Sequence, residues 1–285
     1  MNQLKTVLLL GLMSGLLIGI GSYLGRGYMP LFLIMAVLMN FVSYFWSDRI
    51  VLSVSGAREV SDAEAPRLHA IVHELALSAG IPKPRVYITP ENQPNAFATG
   101  RDPKHGAIAV TQGILQLLDE RELRGVLAHE LGHIKNRDIL VTTIAAMLGT
   151  AISYAAHMVG WFGIGGRGSD DGEGRNPFSA LLMIILAPLA AMLIQMGISR
   201  SREYLADDSG AHLSGDPEAL ASALEKLQRG AQKIPANVEP ATASLYIVNP
   251  FSGIGGMMSN LFSTHPPIEQ RVARLRGMMY EQRSA

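Results

Sequence analysis

Polar and apolar residues along this chain are sorted into long blocks rather than short periods. No charged residue occurs from Thr6 to Gly25, and none from Gly27 to Ser47. Each run has about the 20 residues that a helix needs to cross a hydrocarbon core of roughly 30 Å. Gly25, Arg26, Gly27 and Pro30 between them predict a tight turn, and so a helical hairpin. A cleaved signal sequence competes for the first run. Against it, the residues up to Arg26 make a poor small-residue cleavage site, and a second apolar span follows at once. Two later charge-free stretches, Ile139 to Gly166 and Asn176 to Ser199, flank a Gly-, Asp- and Glu-rich segment, Gly163 to Arg175. They predict a second pair of crossings, four in all. His157, Pro188 and several glycines in this pair also suit the buried helices of a large core.

The intervening blocks have the periods of a folded domain. Ser61 with Glu64 forms a capping-box pattern, followed by apolar Leu68, Ile71, Val72 and Leu75, so a helix is expected to open near Ser61 and to stop at Gly80 before Pro82. Arg85 to Thr89 and Ala107 to Val110 are short apolar runs bounded by Pro, Asn and Gly, which predicts strands and a small sheet. Asp119 with Glu122 is a second capping box, and Leu123, Val126, Leu127, Leu131 and Ile134 mark one face of the helix it opens. The expected fold is a mainly α integral membrane protein, with four transmembrane helices joined to an α+β domain. Its parts are a membrane hairpin (1–47), a polar part (48–138), a second hairpin (139–199) and a second polar part (200–285).

Composition sharpens this picture. Charged residues make up 17% of the 285 and hydrophobic residues 48%, against about 25% charged in ordinary soluble domains. A wholly water-soluble protein is excluded, and disorder with it. The formal net charge is zero, which offers nothing to nucleic acid. With no cysteine in the chain, a disulfide scaffold is excluded and any metal site must use His, Asp and Glu. Lys5, Arg49, Arg58, Lys135, Arg137, Arg200 and Arg202 flank one side of four crossings. Only Arg26, Arg167 and Arg175 flank the other, which places both polar parts and both termini in the cytoplasm.

His129-Glu130-Leu131-Gly132-His133 is an HExxH sequence on the predicted helix. At i and i+4 the two imidazoles leave one face and can reach a single Zn2+, with Glu130 beside them as the proton-transferring base. A third protein ligand is needed. Asn136 and Ile139 stand where the metzincin extension would have Gly and His. A downstream glutamate is the alternative, and Glu203 is the best candidate because it follows the fourth apolar run just as HExxH precedes the third. Asp207, one turn later, can fix the tautomer of a ligand imidazole. A solvated helix face is the plainer reading of both carboxylates.

The HExxH, the E-x-x-A-D at Glu203 to Asp207, the run Pro94 to Gly100 (PNAFATG), and Ser263-Thr264-His265-Pro266-Pro267 with Arg271 together resemble the HtpX family of bacterial membrane zinc metalloproteases, relatives of the CaaX prenyl protease. The resemblance spans nearly the whole chain. It implies a thermolysin-like protease domain whose zinc ligands are His129, His133 and Glu203, with Glu130 as base. It also implies an edge strand at Asn95, Ala96 and Phe97 that binds extended substrate. His265 becomes the candidate stabiliser of the developing oxyanion, with Arg271 supporting it, although His265 could simply cap the last helix. The implied activity is endopeptidase cleavage of misfolded or damaged membrane proteins and unfolded polypeptides at the bacterial inner membrane. An intramembrane protease would carry HExxH inside an apolar span, and here Asp119 to Arg124 precede it. A zinc transporter or non-catalytic zinc scaffold is the rival of another class; it would need more polar residues along the spans than His157, Asn40 and Gln195.

Overall fold

A computed structural model describes residues 2–24, 26–145, 147–148, 200–234, 245–248 and 266–284. Most of the second predicted hairpin, and His265, lie outside the described residues. Among the described residues the chain is helical with one small sheet, and its first two helices form the expected hairpin: α1 (Asn2–Leu24) and α2 (Met29–Val54), joined by a 3-10 turn at Arg26–Tyr28. The Asn40 amide donates to Ser14 Oγ at 2.8 Å and ties the pair together. Among the described residues α2 alone is long and apolar enough to cross a membrane, with a mean hydropathy of 1.8. It keeps Leu31, Leu33, Ile34, Val37, Leu38 and Phe41 exposed. Tyr44, Phe45 and Trp46 are exposed at the end of that apolar band, where aromatic side chains suit a membrane interface.

The helix does not stop at Ser47, where the charge-free run ends. It continues to Val54, because Val51 and Leu52 find a second apolar surface to bury against, made by Tyr87, Phe97, Ala107, Ala109 and Leu245. The apolar helix and the sheet are therefore joined by one unbroken helix.

The sheet has the order β1-β2-β4-β3, with β1 at Arg58–Glu59, β2 at Arg85–Thr89, β3 at Ala96–Thr99 and β4 at Ala107–Thr111. β2 and β4 run parallel, Arg85 opposite Ala107, while β3 lies antiparallel on β4 with Ala96 opposite Val110. β3 thus forms one edge. Alternation divides its side chains: Ala96 and Ala98 join the main core, and Phe97 joins the α2 side.

Above the main-core face lie α3 (Pro66–Ala79), α5 (Glu120–Lys135), α6 (Arg200–Ser214), α7 (Pro217–Lys233) and α8 (Ile268–Ser284), with short α4 (Gln112–Leu117) leading out of β4. α3 opens at Pro66 and not at Ser61. Glu64 does bond the Ser61 amide and hydroxyl, but it closes a separate turn, and proline suits the first helical position. Gly80 ends α3 in the left-handed region, φ +69. Asp119 caps α5 with the full capping box expected of it.

Candidate metal centre and active site

α5 is buried along most of its length, and its neighbours approach closely at glycines. A Cβ on Gly210 of α6 would lie 2.8 Å from the His129 amide nitrogen, and one on Gly132 would lie 3.1 Å from Ser209 Cβ. The two helices are therefore packed nearly backbone to backbone. That approach brings Glu203 of α6 over the HExxH turn. His129 Nε2 and His133 Nε2 face each other at 3.2 Å. Glu203 lies 3.6 Å from His133 Nε2 and 3.8 Å from His129 Nε2.

These three groups fit a metal ion. Zinc ligands sit about 2.0–2.2 Å from the ion, so neighbouring tetrahedral donors are roughly 3.3 Å apart. The observed spacings lie around that value. The other ring nitrogens are turned to carboxylates: His133 Nδ1 is 3.2 Å from both oxygens of Asp138. His129 Nδ1 is 3.0 Å from Asp207 Oδ1, nearer to a hydrogen bond in distance than in alignment. With their Nδ1 atoms beside these acids, both imidazoles turn Nε2 toward one point. A cation between them removes the repulsion.

The charges agree with this. Burial opposes a positive charge on His133, but Asp138 outweighs it with help from Glu203 and Glu130, and the imidazole pKa is pushed up to about 10. The protein's own field thus favours positive charge where the ligand atoms meet. Glu130 is 4% exposed. Burial pushes its carboxyl up, opposed only in part by the two imidazoles and by a hydrogen bond from the Ala98 amide of β3. A proton acceptor raised from the ordinary carboxylate range is better matched to moving a proton near neutral pH.

Asp138 is the residue the sequence reading missed, taking it only as the border of an apolar run. Arg137 has φ +57, an uncommon left-handed conformation for a side-chain-bearing residue. The turn folds the chain back so that Asp138 N–H bonds His133 O at 3.2 Å, and its carboxylate reaches the ring. The only signal in the sequence was an Asp five residues beyond the second His.

Three other assignments are relocated or refined. Arg271, expected to support an oxyanion stabiliser, is fully buried and grips Asp207 with Nε at 2.8 Å and Nη2 at 2.7 Å. Its third nitrogen, Nη1, donates to Ile247 O and lies 3.8 Å from Glu203. Each nitrogen of that guanidinium is thus engaged by the protein, and the group organises the ligands. Burial would raise Asp207, but Arg271 and then His129 hold its carboxyl well below the usual range. Asn95, expected to bond substrate, spends its amide on residues 245–247, donating to Leu245 O at 3.2 Å and accepting from Ile247 N–H at 3.1 Å. Ala96 and Phe97 do lie on an edge strand, as expected, although β3 starts after Asn95.

Comparison with known proteins agrees with this geometry. Residues 62–279 match the peptidase family M48. The protease HtpX homolog of Sulfurihydrogenibium sp. is 53% identical over 285 residues, covering 96% of this chain and 95% of its own. That of Pyrococcus furiosus is 53% identical over 279 residues, covering 97% and 96%. Among solved structures, S. mikatae Ste24p superposes with a TM-score of 0.50 at 19% identity over 93% of this chain, which spans 62% of that longer one; this likeness bears on the fold alone. The M48 match and the near full-length identity make the chain a metallopeptidase of family M48, belonging to its HtpX proteases.

Proposed function

We propose that the protein is a membrane-anchored zinc endopeptidase that cuts misfolded or damaged membrane proteins, and unfolded polypeptides, at the cytoplasmic face of the inner membrane. The observation that carries this reading is the placement of Glu130. It stands beside the His129, His133 and Glu203 ligand set and accepts a hydrogen bond from the Ala98 amide of the edge strand β3. A scaffold or transporter has no use for a buried base at a substrate-binding edge. His129, His133 and Glu203 would hold Zn2+, which would supply Lewis-acid charge to lower the pKa of water toward about 7 and to polarise a carbonyl. Glu130 takes the proton of the attacking water and delivers it to the leaving amine. β3 offers its backbone groups to an extended chain, which holds the scissile bond beside Glu130. Asp138 and Asp207 keep the imidazoles oriented, and Arg271 holds Asp207.

Supporting the membrane reading are α2, with its exposed apolar surface, and the lysine and arginine excess on the site's side of the spans. Glu130→Gln tests the catalytic assignment. Purified in detergent and given unfolded casein, the variant should retain zinc and lose about 10²-fold or more of the chelator-sensitive cleavage. Cleavage at the wild-type rate would remove Glu130 from the mechanism.

A further inference from the structure

β3 runs toward the apolar band of α2, and two separate contacts fix its direction. The Arg101 guanidinium, just beyond the end of β3, lies 5.8 Å over the ring of Phe45 at the close of the apolar band of α2. Phe97, within β3, packs instead on Val51 and Leu52, further along the same helix. At about 1.5 Å per residue this is roughly 9 Å of travel away from the apolar band. On another flank the Thr99 and Thr143 hydroxyls bond at 2.9 Å. Thr143 belongs to the helical residues that follow the metal motif and pack Val141 and Ile144 against Leu9 and Met13 of α1. The opposite end of β3 is held elsewhere: Asn95 by residues 245–247, and Pro94 against Gly230 near the end of α7.

An extended polypeptide added to a sheet edge pairs most stably in the antiparallel sense. Its N-terminal part then lies beside Thr99, and its C-terminal part beside Asn95. Resting on the endopeptidase reading and on α2 as the membrane-crossing helix, we infer that the cleft is polarised with respect to the bilayer: it takes chains whose membrane anchor lies N-terminal to the scissile bond. The substrate class is the polar stretch that follows a transmembrane helix, as opposed to the stretch that precedes one. The four residues of β3, at about 3.3 Å each, span roughly 13 Å. A short extended tail can cover that distance from the lipid surface to Glu130. A chain anchored on its C-terminal side leaves the cleft at Asn95, the end away from the membrane. It must turn and run back at least the same distance outside the domain.

Two single-span substrates test this, carrying one identical unfolded segment either after or before the same helix. Each has a spacer of about four residues, roughly 13 Å when extended, and both segments face the active site. They are co-reconstituted in liposomes with the full-length protein, and casein serves as the unanchored substrate. The segment following the helix should be cut about tenfold faster or more, because a spacer too short to reach gives almost no effective concentration. Lengthening both spacers to about 30 residues should remove most of the difference. Equal rates or the reverse order with short spacers, while casein is cut, overturns the polarity and leaves the protease reading standing. Casein cleavage with neither anchored segment cut also overturns it, and no casein cleavage overturns both readings. The chain has no cysteine, so disulfide trapping on Glu130→Gln gives a second readout. A substrate cysteine on the anchor side should link to Arg101→Cys, and one on the far side to Asn92→Cys, an exposed position three residues before Asn95; the exchanged pattern overturns the direction.

Discussion

Replacing Arg271 by Leu removes a fully buried guanidinium that closes two charged hydrogen bonds on Asp207. What remains is a carboxylate with no exposed surface, 3.0 Å from the Nδ1 atom of His129. Breaking one partner of such a buried pair costs about 3–5 kcal/mol, a large share of a typical margin of about 5–15 kcal/mol. A domain of roughly 150–250 residues loses about 2–4 °C per kcal/mol, so the melting midpoint should fall by about 6–20 °C. The loosened Asp207 should also weaken zinc affinity by about 10–100-fold. Both effects are measurable on purified protein in detergent, by thermal unfolding and by zinc content across graded chelator. Adding Asp207→Asn to Arg271→Leu removes the stranded charge and should recover part of the melting loss. An oxyanion role for Arg271 has a different signature: a loss of about 10²–10³ in kcat at unchanged melting point and zinc content. That pattern would refute the organising role assigned here.

Asp138→Ala should lower zinc affinity about 10–100-fold in chelator competition, and Asp138→Asn less, since an amide oxygen still accepts the His133 Nδ1 proton; equal affinity in all three proteins would remove Asp138 from the site. Gly210→Ala places a Cβ 2.8 Å from the His129 amide nitrogen and should force α6 from α5, costing about 1–3 kcal/mol by thermal unfolding together with measurable zinc loss. Wild-type melting and zinc content in that variant would show that the helices have slack.

The ligand set was legible because it is local. His129 and His133 are spaced by one helical turn, Glu130 stands between them, and the Asp119 capping box that opens their helix is written within four residues. Glu203 could be read as well, since its place after an apolar run mirrors the place of HExxH before one. The partners of these groups were not legible. Arg271 and Asp207 are 64 residues apart, and nothing in spacing tells a guanidinium which carboxylate it will meet. Asn95 pairs with a backbone stretch 150 residues away, so its polar side chain looked available to substrate. Asp138 depends on the unusual backbone of Arg137, which no propensity anticipates. Likewise, the charge at Asp48 hid the continuation of α2, since the apolar surface covering Val51 and Leu52 exists only after the sheet has formed.

The division of the ligands between α5 and α6 also sets the moment at which the enzyme can begin to work. A ribosome that has delivered His129, Glu130 and His133 still has the whole 139–199 stretch to make before Glu203 appears, and Arg271 comes later again. At about 5–20 residues per second this interval lasts several seconds or more. Throughout it the growing polypeptide has two imidazoles but no third ligand, and no guanidinium to steady Asp207. Hydrolysis is therefore withheld from the nascent chain and its insertion machinery. Full zinc affinity waits until Arg271 of the C-terminal helix docks on Asp207, so the order of synthesis itself holds back the young protease.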